Sequence, residues 1–353
     1  MRWLLYLWLA GQGGSPEALQ HLQAGLQARQ QHQVDTEIAE FRKATELDPK
    51  LADAFVNLGQ AYMEKHEYGA AIAPLKRALE LSPDLPVAHQ LLGYALLSQG
   101  YAAEALPHLE KVGAREAMGI AQIELGQYSE AVGNFSAALS QRPGDPDLLY
   151  YLGHSSGLLS KSAIDTLMAT HPESARAHQA MAQNYYALRQ MPQAETEFKE
   201  AIRLRPELPG LHLELGQVYA NSAQWPKAEE EFRTEVKLQP GNAESAYRLG
   251  NALLQQGKSQ EALVALKRSN ELKPDMPETL YSLGKAASVA GEPGLAEKSW
   301  LRVVELEKET ALAAQSHFGL AALYRKQGKT AKAQQEMQEF QRLQNTIGPP
   351  RSE

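Results

Sequence analysis

DAFVNLGQAYMEKHEYGAAIAPLKRALELSP (53–83) and GLHLELGQVYANSAQWPKAEEEFRTEVKLQP (210–240) lie far apart in the chain yet keep one pattern. Each carries a Gly (Gly59, Gly216), a Tyr three residues later (Tyr62, Tyr219), an Ala twelve after the Gly (Ala71, Ala228) and a closing Pro (Pro83, Pro240). The spacing recurs outward from these two stretches. Pro49 and Pro83 are 34 residues apart, and Pro172, Pro206, Pro240 and Pro274 continue at 34. The prolines end runs of one kind, ATELDP, ALELSP, AIRLRP, EVKLQP and SNELKP, and Gly25, Gly59, Ala182, Gly216 and Gly250 stand 24 residues before them. A fixed period of this length governs every local pattern inside it.

Elementary packing explains the residue types. Apolar residues recur at i, i+3, i+4 and i+7, which marks one buried face on each of two helices per period. Gly on the first helix and Ala on the second remove bulk where the two must touch, and a larger side chain there costs about 1–3 kcal/mol. Gly100, Gly126, Gly257, Gly291 and Gly328 suit the left-handed turn between the helices. The closing Pro stops the second helix, and stacking on neighbours supplies the core that no single pair can build. No strand pattern occurs.

The lattice resembles the tetratricopeptide repeat family, on Phe55, Leu58, Gly59, Tyr62, Ala71, Leu75, Ala78 and Pro83, and again on His178, Met181, Ala182, Tyr185, Ala194, Phe198, Ala201 and Pro206. The resemblance implies an all-α, right-handed superhelical solenoid of antiparallel helix pairs. Ten units are expected over residues 17–347: 18–51, 52–85, 86–111, 112–145, 146–174, 175–208, 209–242, 243–276, 277–313 and 314–347, followed by a polar tail, 348–353. Unit 86–111 is short and must end its second helix at Val112-Gly113. Unit 146–174 is short as well, with a clipped second helix expected around Ser162–Thr170 and Gly153 as its helix-contact glycine. The first unit departs at Glu37, where a small residue is expected.

Net charge is −7, with basic residues spread along the chain, which argues against nucleic acid as a partner. Cysteine is absent, so disulfides and thiolate chemistry are excluded. Residues 1–16, MRWLLYLWLAGQGGSP, read as a short leader with small residues near a cleavage point, and export to the periplasm or medium is expected, with a cytoplasmic location as the alternative. No segment reaches membrane-spanning length.

One motif points elsewhere. Gly153-His-Ser-Ser-Gly157 matches a nucleophile elbow, with Asp165 and His171 following in hydrolase order. An elbow needs a strand-to-helix turn, whereas the lattice places Ser155 on a helix, so no enzyme is expected. His21, His89, His178, His212 and His317 share one repeat position, which reads as packing at the seam between repeats rather than metal binding. No cofactor motif or metal site is expected.

By the family resemblance, first-helix positions two, five, nine, twelve and thirteen face an inner groove, and the candidates come from positions five, nine and twelve. They hold Tyr150, His154, Gln183, Tyr186, Gln217, Tyr247, Asn251, Tyr281, Lys285 and Phe318. Rings give contact area and amides pair an extended backbone. The expected function is a non-enzymatic scaffold that binds a protein or peptide segment, as a monomer or within a hetero-complex. The alternatives are a component of an envelope assembly or export system and a regulatory subunit of an enzyme on another chain. The Lys-Asn-Asn-Lys-Arg carboxylate clamp of some family members is missing, with Leu22, Leu26 and Gln60 at its positions.

Overall fold

The computed structural model describes residues 15–347; the leader-like stretch up to Gly14 and the tail 348–353 lie outside the described residues. The described residues form nineteen helices and no strand. The chain divides at Ala163/Ile164 into two compact units.

The N-terminal unit contains four helix pairs: α1 (Pro16–Gln30) with α2 (Val34–Leu47), α3 (Ala52–Glu64) with α4 (Tyr68–Leu81), α5 (Pro86–Ser98) with α6 (Ala102–Val112), and α7 (Arg115–Glu124) with α8 (Tyr128–Gln141). Helix α9 (Pro146–Thr170) follows and crosses the division. The C-terminal unit holds five pairs: α10 (Ala175–Ala187) with α11 (Met191–Leu204), α12 (Leu211–Asn221) with α13 (Trp225–Leu238), α14 (Ala243–Gln255) with α15 (Ser259–Leu272), α16 (Pro277–Ala290) with α17 (Pro293–Leu306), and α18 (Ala311–Lys326) with α19 (Thr330–Ile347).

Each pair closes on a small residue facing a large one sixteen positions later. A Cβ on Gly216 would fall 2.5 Å from the Phe232 ring, and one on Gly59 would fall 2.5 Å from Leu75. Gly25–Phe41, Gly93–Leu109, Gly119–Phe135, Gly250–Leu266 and Gly284–Trp300 repeat the contact. These large partners are fully buried or nearly so, and they form the centre of each unit's core. Turns between paired helices use a left-handed residue. Gly257 has φ 74°, while His66 and Ala223 take φ 59° and 54° at the same place in their pairs. Several first helices begin on Pro, whose missing N–H costs nothing at that position, or on a side-chain cap such as Asn242, which accepts from the Glu244 and Ser245 amides.

Two sequence expectations need correction. Unit 146–174 is not a helix pair, because α9 runs unbroken for 25 residues through the expected turn. A Cβ on Gly153 would meet nothing within 4 Å. The cause lies in the sequence: the residue sixteen later is Ala169, too small to fill the contact, and no residue between Gly157 and Thr170 takes positive φ. The repeat-position histidines also differ from expectation. They join the two helices of one unit rather than packing at the seam between units, as described below.

Candidate functional site

The 34-residue register places first-helix side chains of the C-terminal unit in rows. Gln217 on α12, Asn251 on α14 and Lys285 on α16 occupy equivalent positions, as do Tyr247 and Tyr281 four residues before the last two. These five predicted residues line one cavity of about 380 Å³. Asn221, Trp225, Arg248 and Glu278 are among the other residues that line it. Rigid helices carry every one of these side chains, so the cavity is set by the core beneath it.

The side chains differ in how far they are committed. Arg248 donates to Glu244 at 2.6 Å and lies over the Tyr247 ring at 5.6 Å. The Lys285 ammonium sits 5.7 Å from the Tyr281 ring centre, a cation–π arrangement that leaves its N–H groups free to turn toward an acceptor. Burial pushes the Tyr281 phenol above its ordinary range, so it stays a neutral donor at any physiological pH. Gln217 donates to Asn221 at 3.1 Å, and Asn221 in turn donates to the Tyr186 hydroxyl at 2.5 Å. Tyr186 is therefore tied to the cavity wall through Asn221. Gln183 is committed differently: with Gln179 it donates to the Glu214 carboxylate, at 2.9 Å for Gln183. Burial raises the Glu214 pKa, and the two amides partly offset that rise.

Three predicted residues lie apart from this cluster. Phe318 on α18 is exposed and rests against Phe340 with ring centres 5.3 Å apart. Tyr150 and His154 belong to the N-terminal unit, where their rings stack at 6.0 Å with planes 3° apart. Asn221 and Arg248 were not singled out from sequence. Asn221 was within reach, because it holds position thirteen, one of the groove-facing positions; Arg248 holds position six and carried no such signal.

Ser155 is buried, and its hydroxyl donates to the Tyr151 carbonyl at 2.8 Å. Such back-bonding is ordinary for a helical serine and places no base beside it. His171 is exposed and bonded to the Thr170 hydroxyl.

The repeat-position histidines form a second regularity. His21, His178, His212 and His317 each bond through Nδ1 to a glutamate 19 residues later, Glu40, Glu197, Glu231 and Glu336, at 2.6–2.7 Å. In the third unit His108 replaces the glutamate, and the His89 and His108 Nδ1 atoms lie 2.7 Å apart. The Glu231 carboxylate holds the His212 imidazole above its ordinary pKa, whereas burial and the neighbouring His89 lower that of His108. These pairs clamp first helix to second helix.

With the paired helices, the close-approach residues and the rows of first-helix side chains established, comparison with known proteins decides the family. The tetratricopeptide repeat model matches residues 116–155, 180–243, 213–277 and 281–346, more than half of the chain. A second TPR repeat model matches residues 60–100. The chain belongs to the tetratricopeptide repeat family. An array of tetratricopeptide repeats is a protein-interaction scaffold, and the nine helix pairs seen here are repeats of that kind. No curated protein sequence matches the chain. Among solved structures, MamA 41-end from Desulfovibrio magneticus RS-1 is 20% identical, covering 50% of this chain and 97% of its own, with TM-score 0.47. YrrB, described as a TPR protein with an unusual peptide-binding site, is 18% identical over 52% of this chain and 93% of its own, TM-score 0.48. The APC/C hetero-tetramer Cut9-Hcn1 is 14% identical over 94% of this chain and 88% of that one, TM-score 0.45. Among the described residues, no helix of this tetratricopeptide array is long and apolar enough to cross a membrane.

Proposed function

We propose that this tetratricopeptide protein is a non-enzymatic scaffold that holds an extended peptide segment of a protein partner against α12, α14 and α16. The observation that carries this reading is the convergence of Gln217, Tyr247, Asn251, Tyr281 and Lys285, from three successive repeats, on one cavity. Tyr247 and Tyr281 supply flat, stiff contact area, and Gln217 and Asn251 offer both donors and acceptors to a peptide backbone. A spacing of one repeat between equivalent side chains suits a ligand read by successive short segments rather than by one deep pocket.

A peptide selected from a random linear library against the purified protein provides the test. Replacing Tyr247, Asn251 and Tyr281 together by Ala is expected to weaken its binding by at least about thirtyfold, since each buried anchor is worth roughly 1–2 kcal/mol. Helical content measured by circular dichroism should stay unchanged. Unaltered affinity in the triple variant would place the binding surface elsewhere. We further propose export through residues 1–16, supported by the apolar run Trp3–Leu9 and the small residues after it. N-terminal sequencing of the mature protein checks this, with a start near Gln12 or Gly14 expected and an intact Met1 against it.

A further inference from the structure

Helix α9 is a first helix without a second. In all nine helix pairs the residue at the register position of Gly153 is buried, from Gly25 on α1 to Ala321 on α18. Gly153 itself is exposed, and a Cβ built on it would meet nothing within 4 Å. The position three residues later repeats the contrast. It is buried or half-buried in every pair, as at Tyr62, Tyr219 and Leu253, whereas Ser156 is exposed. Four residues before Gly153, Leu149 is 49% exposed, where Leu280 on α16 is buried.

The open face continues a packed one. Leu148 is buried in one cluster with Phe135 and Ala138 of α8, Leu152 packs against that cluster, and Tyr151 stacks on Phe135 at 5.2 Å. Leu149, Gly153 and Ser156 extend the same helix surface beyond that contact, at the i, i+4, i+7 spacing that a neighbouring helix covers. Ser156 presents no stranded donor there, because its hydroxyl donates to the Leu152 carbonyl at 2.7 Å. An apolar side chain can therefore cover this face without leaving a polar group unsatisfied.

The chain itself shows what fits such a face. Second helices elsewhere carry a small residue, a large one four later and a small one three after that: Ala71, Leu75 and Ala78, or Ala131, Phe135 and Ala138, all buried. The large residue lies over the first-helix Gly, as Phe135 does over Gly119. Among the described residues every such second helix already packs on its own first helix, so a second copy of the chain has none to spare. We infer that α9 is the receiving half of a helix pair completed by another protein, whose amphipathic helix lies antiparallel to Leu149–Ser156 and places a Phe or Leu over Gly153. This surface is independent of the peptide groove on α12, α14 and α16 and would stand if that reading failed.

A fluorescein-labelled peptide of residues 191–206, MPQAETEFKEAIRLRP, carries the pattern on Ala194, Phe198 and Ala201 and serves as the probe. Fluorescence anisotropy with the full chain should show saturable binding with a dissociation constant below about 1 mM, weak because a helix of this length is marginal alone. Gly153→Leu occupies the place of the incoming ring and should weaken binding at least about tenfold, with circular dichroism unchanged because nothing surrounds the new side chain's Cβ. Gly294→Leu, on α17 and equally open, should bind as the wild type does. A peptide carrying Phe198→Ala should also lose at least about tenfold. Absence of binding to the wild-type chain would overturn the inference, as would a Gly153→Leu variant that binds undiminished. So would a wild-type chain that sediments as a dimer while Gly153→Leu sediments as a monomer, since a second copy would then cover the face.

Discussion

Phe232→Ala is expected to destabilise the C-terminal unit by about 3–5 kcal/mol, the range for deleting a fully buried aromatic side chain. Phe232 is 1% exposed and fills the gap under Gly216, where α12 and α13 approach most closely. The loss should spread, because each repeat is stable only through its neighbours. Hydrogen exchange should therefore show lost protection in α12 and α13 first, then in α10, α11, α14 and α15. Gly153→Ala supplies the contrast. No atom lies within 4 Å of the added methyl, and a helix-interior Gly gives up about 1 kcal/mol relative to Ala, so this variant should be more stable than wild type. A loss at Gly153 comparable with that at Phe232 would mean that α9 packs as an ordinary first helix.

Arg29→Met is expected to cost about 3–5 kcal/mol at neutral pH, the penalty for leaving a buried charge without its partner. Glu37 is 0% exposed and accepts from Arg29 Nε at 2.7 Å. The same guanidinium reaches the Asn57 side chain at 2.9 Å in the next repeat and lies over the Phe41 ring. One side chain thereby pairs with one oxygen of a buried carboxylate, whose Oε2 has no hydrogen-bond partner among the described residues, and links two repeats. The pH dependence follows from the sign of the shift. Burial raises the Glu37 pKa in the folded state, so the folded form holds the proton more tightly than the unfolded form. Stability from this group is present below its unfolded pKa and is lost as pH rises through the folded value. With Arg29 gone the rise is larger, so the variant's deficit in urea titrations should be smaller near about pH 5 than near about pH 8. Adding Glu37→Ala restores the small residue found at Ala71 and Ala228 and should recover most of the loss. A double variant as unstable as Arg29→Met alone would show that the damage comes from the lost Asn57 contact instead.

The 34-residue spacing of Pro, Gly and Ala was enough to read nine of the helix pairs, because each of those residues answers a local steric demand. Unit 146–174 was misread for the same reason. Its Gly sits in register, but the contact also needs a bulky residue sixteen positions later, and Ala169 cannot supply one. Pairing of polar groups was less visible. The histidines shared a position in plain sight, while their partners 19 residues on become apparent only when two helices are wound against each other. Among the groove candidates, Gln217, Tyr247, Asn251, Tyr281 and Lys285 from successive repeats line one cavity, since the period carries over into space within a unit. Spacing could not foresee that Gln183 would be spent on Glu214, because that pairing depends on side-chain reach rather than register.

The central claim is that the partner segment lies against the first helices of the C-terminal unit. Photo-crosslinking tests it most directly. A benzophenone amino acid is placed at Tyr281, on the groove, or at Val264, which is 71% exposed and lies on second helix α15. Each variant is irradiated with the selected peptide at saturating concentration. The account predicts a covalent adduct from position 281 and none above background from position 264; an adduct formed from 264 and not from 281 would contradict it.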